Sequence, residues 1–255
     1  MNSGIAAQLY TLREFLATPA DIATTLRRVK QIGYPAVQLS GLGPIETREL
    51  ANMLQGEGLT AAATHVGYDE LLNDMPRLIE RHQQLGCLHT AIGSMPGEFR
   101  SFAGYAQFAK IGSEFARKLA AAGISFSYHN HSFEFEKFDG VTGMSILYDN
   151  ADPLFKAEID TYWVQHGGAN PITWIEKMQG RMVIVHLKDM GVADFSQVMA
   201  EVGEGNLEWP GILQACREVG VQWYAVEQDT CRRDPFESLA ISLRNLQALG
   251  LETGG

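Results

Sequence analysis

Four acid or imidazole side chains stand at the ends of four successive apolar runs in the second half of this 255-residue chain: Glu134, Asp160, His186 and Glu227. Asp160 closes the run Phe155–Asp160, His186 lies in Met182–Leu187, Glu227 closes Trp223–Glu227, and Glu134 follows Ile124–Asn130. If the runs are neighbouring strands, these side chains meet at one rim. A carboxylate at the end of a buried strand is costly unless it is paired or ligates a cation. Read separately, each is a surface acid or a hydrogen-bonded core group. Read together, three carboxylates and one imidazole form a hard, oxygen-rich set. That set suits Mn2+ first, with Mg2+, Co2+, Zn2+ or Fe2+ as alternatives. No Cys lies near it, which argues against a structural zinc site.

Side-chain alternation supports a common inward face. Val183, Val185 and Leu187 form one apolar face of their run, and His186 and Lys188 point the other way. Glu158 and Asp160 likewise share a face against Ala157 and Ile159. The run before Glu134 leaves the choice open, because Ser125, Ser127 and His129 alternate with Phe126, Tyr128 and Asn130.

The elements that must position these residues recur along the whole chain. Eight short apolar runs are predicted as strands: Gly4–Leu9, Ala36–Leu39, Thr60–His65, His89–Ile92, Ile124–Asn130, Phe155–Asp160, Met182–Leu187 and Trp223–Glu227. Between them lie segments of helical periodicity, among them Ala20–Ile32, Met75–Leu85, Phe102–Ala121 and Pro235–Leu249. Glycines such as Gly33, Gly86 and Gly220 follow several of these segments, where a left-handed cap ends a helix. Eight βα units of roughly 32 residues predict an α/β chain folded as one (β/α)8 TIM barrel over residues 1–255. A doubly wound open sheet would want a glycine-rich phosphate turn after the first strand, and Gln8-Leu9-Tyr10-Thr11-Leu12-Arg13 has no glycine. In a barrel, chemistry sits at the C-terminal ends of the strands, where the four residues fall.

Composition narrows the partners. Twenty Lys and Arg against thirty Asp and Glu give a net charge of −10, which argues against a nucleic-acid partner. No apolar stretch is long enough to span a membrane, and Met1-Asn2-Ser3-Gly4 does not begin a signal peptide. Three cysteines without a CxxC pair point to the reducing cytoplasm.

At the candidate ligands the chain resembles the xylose isomerase-like TIM-barrel superfamily, in its sugar phosphate isomerase/epimerase branch. The similar stretches are Gln8–Arg13, Tyr128-His129-Asn130-His131-Ser132-Phe133-Glu134-Phe135, Glu158–Val164, His186-Leu187-Lys188-Asp189, Val202–Trp209 and Val226-Glu227-Gln228-Asp229. The resemblance implies a Glu-Asp-His-Glu metal set at Glu134, Asp160, His186 and Glu227. His131 or Glu136 is an alternative to Glu134, because the loop after the fifth strand varies in length among relatives. Where some relatives place a substrate-touching His after the Asp of the sixth strand, this chain has Tyr162-Trp163.

The implied reaction is ketose epimerisation or aldose–ketose isomerisation through a metal-stabilised enediolate. Glu134 and Glu227 would move protons on opposite faces of the sugar. Lys188 would stabilise an oxyanion or bind a hydroxyl, its structural alternative being a salt bridge to Asp189 or Asp160. Either Glu158 or Glu204 would orient His186. Tyr10, His65, Trp163 and Trp209 are candidate substrate contacts, with core packing the alternative, most of all for Trp209. Gly203-Glu204-Gly205 offers at best a weak phosphate cradle, so the expected substrate is a small unphosphorylated ketose, keto-sugar or cyclitol. A metal-dependent lyase is the runner-up, either inosose dehydratase-like or a keto-glycoside β-eliminase, with His131 as acid on the leaving group. A DNA-repair endonuclease of this fold would need more His than seven and a basic groove. A non-catalytic sugar-binding barrel would not need all four ligand positions filled. Relatives are often dimers or tetramers, so a homo-oligomer is expected.

Overall fold

A computed structural model describes residues 4–254. Eight parallel strands close into a barrel: β1 (Gly4–Gln8), β2 (Ala36–Leu39), β3 (Thr60–Val66), β4 (His89–Ile92), β5 (Ser125–His129), β6 (Phe155–Asp160), β7 (Met182–Leu187) and β8 (Trp223–Val226). The first and last strands pair from Gly4 opposite Trp223 to Ala7 opposite Val226, which closes the ring. Helices pack around the outside, so the expected TIM barrel is the observed fold. Strand limits differ from the sequence reading by one residue or so at several ends. After β1 the chain turns at once into a short 3-10 helix, Leu9–Phe15.

Local chemistry sets the helix limits. Thr18 and Asp21 form a reciprocal capping box ahead of the helix Pro19–Ile32, and Gly33 ends it at φ 116°. Two hairpins, unmarked in the sequence pattern, project from the loops after β5 and β7. They pair Lys137–Phe138 with Val141–Thr142, and Asp189–Ala193 with Ser196–Ala200. Their strands are short and partly exposed, so they lack the buried apolar face that makes a strand visible in sequence.

Inside the barrel the layers separate by polarity. Ala6, Ala36, Ala62, Ala63, Ile184, Trp223 and Ala225 form a compact apolar cluster. Two residues farther along five of these strands stand Gln8, Gln38, His65, His186 and Glu227, which therefore face the same interior one layer higher. Register slips by one residue at Val37/Gln38 and at Ala157/Glu158, both just before residues of this polar layer. The larger core lies between barrel and helices.

The helix Phe102–Ala121 sits unusually close to β6 through Gly112. A Cβ there would lie 2.3 Å from the Phe155 ring, which is fully buried and stacks on Phe126 with centroids 5.3 Å apart. Alanine is the better helix former by about 1 kcal/mol. Overpacking a fixed ring costs more, about 1–3 kcal/mol. Gly112→Ala is expected to lower the urea midpoint, with a net loss of about 1 kcal/mol, rather than raise it.

Candidate metal centre

Four ligand atoms converge at the C-terminal mouth of the barrel. One each from His129, Asp160, His186 and Glu227 lie within 4.8 Å of one another, and all four residues are buried. They come from the ends of β5, β6, β7 and β8. Asp160 is fixed through its other oxygen, since Oδ1 accepts the Trp163 N–H at 2.9 Å and caps the helix Thr161–His166. Asn130 Oδ1 accepts the Asp160 N–H at 3.0 Å and ties the ends of β5 and β6 together. Thr161 straps β7, donating to the Lys188 carbonyl at 2.9 Å and accepting the Lys188 N–H at 3.0 Å.

The hydrogen bonds of the two imidazoles decide what the centre can hold. His186 Nε2 faces Gln38 Oε1 at 2.7 Å and Glu158 Oε1 at 2.8 Å, both acceptors, so Nε2 carries the proton. His129 Nδ1 faces the Gly93 carbonyl at 3.0 Å, so that nitrogen is protonated. The remaining nitrogens face carboxylates: His186 Nδ1 faces Glu227 Oε2 at 2.9 Å, and His129 Nε2 faces Asp160 Oδ2 at 3.2 Å. An unprotonated ring nitrogen would repel an anionic oxygen, so each of these pairs holds either a proton or a shared cation. A second proton or a divalent ion satisfies each pair, and two nitrogens with two oxygens suit a first-row divalent metal. Without a metal, burial opposes the His186 charge, but Glu158 and Glu227 outweigh it and push the pKa up to about 10.

Glu158 supports the centre from below. It accepts from His186, from His65 and from Gln38 Nε2, at 3.2 and 3.1 Å in the last case. Burial alone would neutralise Glu158, yet the two imidazoles hold its pKa well below the ordinary carboxylate value. A carboxylate that grips the far nitrogen of a ligating histidine fixes its ring and tautomer. Lys188 completes the layer. It is fully buried, and Nζ lies 3.0 Å from Asp160 Oδ2, 2.8 Å from Glu227 Oε2 and 2.8 Å from Asp229 Oδ2. Burial disfavours its charge, and the three carboxylates more than restore it.

A model of the xylose isomerase-like TIM barrel matches residues 26–249. The chain belongs to that family. Solved structures of the same fold include a sugar phosphate isomerase/epimerase from Parabacteroides distasonis, 24% identical, covering 97% of this chain and 94% of that one with a TM-score of 0.78. A D-allulose 3-epimerase from Methylomonas sp. is 14% identical, with 97% and 98% covered and a TM-score of 0.73. A probable 3-DHS dehydratase from Bacillus anthracis is 13% identical, with 96% and 98% covered and a TM-score of 0.72. No curated protein is matched by the sequence.

Within this xylose isomerase-like barrel, Asp160, His186 and Glu227 come together with His129, and Glu134 does not join them. Phe126 and Tyr128 point out to the helices, where Tyr128 packs on Phe108 and Phe155, so His129 faces inward instead. Glu134 lies behind the loop. Its Oε1 accepts from the Tyr128 hydroxyl and its Oε2 accepts the His131 N–H at 2.9 Å. Both oxygens are thus engaged away from the four-residue group that was expected to include them. Glu136 is exposed and is no substitute.

The remaining candidates divide. His131 packs edge-on to His129 with centroids 5.0 Å apart, and its Nδ1 is buried without a partner. Burial, aided by the charge of neighbours, lowers its pKa to about 3, so the ring is neutral. Trp163 lies 5.3 Å from His131, with Nε1 also buried and unpartnered. Tyr10 is 38% exposed beneath the Arg13 guanidinium. His65 bonds Glu158 while its ring stacks on His186, centroids 5.2 Å apart. Trp209 is core: it is buried and Nε1 donates to Asp189 Oδ2 at 2.6 Å. Asp189, read from sequence as a possible salt-bridge partner of Lys188, instead accepts the Trp209 indole N–H and the N–H groups of Gly203 and Gly205, the last two at 2.9 and 3.0 Å. The glycine loop therefore does cradle an anion, the chain's own carboxylate. Glu204 bonds Asn245 and takes no part in orienting His186.

Burial raises the Glu134 pKa from an ordinary 4.5 to about 7. Folding therefore tightens proton binding, and that contribution fades as pH climbs through about 7. Glu134→Gln fixes the neutral shape. Between about pH 5 and pH 8 the wild type should lose stability relative to Glu134→Gln, by on the order of 3 kcal/mol at most. Parallel urea titrations across that range would measure it, and superimposable pH profiles would refute it.

Proposed function

We propose that this barrel is a divalent-metal-dependent isomerase that epimerises or isomerises a small ketose, or a related keto-sugar or cyclitol, by proton transfer. The observation that carries the reading is the buried convergence of one ligand atom each from His129, Asp160, His186 and Glu227 within 4.8 Å of one another at the mouth of the barrel. His129, Asp160, His186 and Glu227 would hold the ion, Mn2+ for preference. When bound, it would polarise a carbonyl and the neighbouring hydroxyl, making the intervening C–H acidic.

The chain's own groups supply the rest. Glu227 stays ionised at neutral pH: burial opposes its charge, but Lys188 and His186 keep the pKa far below the ordinary value. It is the candidate base on the β8 side. His131, neutral and with a free ring nitrogen, is the candidate partner on the β5 side, returning a proton to the opposite face of the sugar. The Glu134 carboxylate sets the position of His131 through its backbone N–H. Lys188 presents a positive charge between Glu227 and Asp229 at the rim, where a developing oxyanion would gain from it. Trp163 offers an apolar ring face and an unpartnered N–H to a sugar hydroxyl. The nearby cations are engaged, Lys188 by carboxylates and Arg13 by the carbonyls of Tyr10 and Asp229, which favours an unphosphorylated substrate.

His131 also supports the lyase alternative, in which its proton goes to a leaving group β to the carbonyl. Reaction with a panel of ketoses and ketocyclitols in D2O separates the two. Deuterium incorporated next to the carbonyl without loss of water supports the isomerase, and net release of water or an aglycone supports the lyase. Glu227→Gln is expected to reduce turnover about 1,000-fold and His131→Asn by about 100-fold or more. Undiminished exchange in Glu227→Gln, or full metal content in both His129→Ala and Asp160→Ala, would sink the reading.

A further inference from the structure

We propose that Lys188 is the resident counter-cation of this centre, exchanging with the divalent ion for Asp160 and Glu227, and that Asp229 is the carboxylate it keeps when it yields them. The inference rests on the metal-dependent reading above. Its ground is that one pair of oxygens is addressed twice. Asp160 Oδ2 lies 3.2 Å from His129 Nε2 and 3.0 Å from Lys188 Nζ. Glu227 Oε2 lies 2.9 Å from His186 Nδ1 and 2.8 Å from the same ammonium. An ion seated among the four ligand atoms and the ammonium of Lys188 therefore compete for the same two atoms.

The third partner makes exchange feasible. An ammonium has three protons, and here it has three carboxylates. Asp229 contributes nothing to the four-atom group, lies at the rim with its side chain 28% exposed, and bonds Nζ at 2.8 Å. The lysine stem cannot withdraw, because Thr161 holds its backbone on both sides of the peptide. Only the head can move, toward Asp229. Retaining Lys188 with Asp229 leaves Asp160 and Glu227, two negative charges, for a doubly charged ion. Two cations in one low-dielectric pocket repel, so Lys188 weakens metal binding while keeping the carboxylates neutralised when no metal is present. A salt bridge with only a structural role predicts the reverse for metal: its loss would loosen the site and weaken binding.

The test titrates Mn2+ calorimetrically into protein stripped with EDTA, for the wild type, Lys188→Met and Asp229→Asn, with the melting temperature of each form. Lys188→Met is expected to melt lower than the wild type when stripped, to bind Mn2+ at least tenfold more tightly, and to recover its melting temperature with Mn2+. Asp229→Asn, at a partly exposed position, is expected to fold normally and bind Mn2+ at least tenfold more weakly, because the displaced ammonium has lost its anchor. Should Lys188→Met fail to fold, Asp229→Asn decides alone. Wild-type binding with no gain in Lys188→Met, or no loss in Asp229→Asn, overturns the exchange and leaves the metal reading standing. Binding by Lys188→Met but not by the wild type supports it, since the lysine then outcompetes the ion. Binding by neither overturns both.

Discussion

Carboxylates buried side by side must be neutralised, and the interior of this barrel is organised around that demand. Glu158, Asp160 and Glu227 are all nearly or fully inaccessible to water, and Asp229 joins them at the rim. Desolvation penalises each charge, and only opposing charge or hydrogen bonds can offset it. The chain answers with Lys188, His186 and His65. Their hydrogen bonds are directional enough to fix which nitrogen of His186 bears a proton. Everything a cation or a substrate would meet at the mouth follows from that arrangement of protons.

The scaffold bears this load because its layers are separate. The lower interior is filled by alanines with Ile184 and Trp223, which need no polar partner. The polar layer is assembled from the last residues of strands whose outward faces pack against helices. Glu158 and His186 each have an apolar neighbour on either side in sequence, and His65, His129, Asp160 and Glu227 have one on one side, which pins them. Preorganisation of the centre is thus largely a property of strand alternation, with Thr161, Asn130 and Gln38 correcting the final ångström.

Much of this could be read from the chain itself. The eightfold alternation and the glycine caps gave the architecture. Asp160, His186 and Glu227 each end an apolar run and share a parity with a polar neighbour, which marks an inward face. The fifth strand failed that test, because Ser-Phe-Ser-Tyr-His is polar on one face and aromatic on the other, and either is admissible inside a barrel. Only the packing of Tyr128 against Phe108 and Phe155 shows that the aromatic face is outside, which puts His129 in the centre and Glu134 behind it. Gln38 and Asp229 carried no signal of their own, since a hydrogen-bond relay depends on distances between strands far apart in sequence. Asp189 was hidden differently. The glycine loop looked like a receptacle for a ligand, and nothing local reveals that its occupant is a residue fourteen positions upstream of its first glycine.

That self-filled loop has an evolutionary consequence. Asp189 clamps residues 203–209 directly against the end of the strand that delivers Lys188, so the segment between them is bypassed by the clamp. The hairpin Asp189–Ala193 with Ser196–Ala200 fills that span. Its tip can lengthen, shorten or change composition without disturbing the lysine, because the staple rather than the tip carries the mechanical continuity. Diversification beside the mouth is thereby decoupled from the reactive layer, and a lineage can remodel what it admits while leaving its charge balance intact.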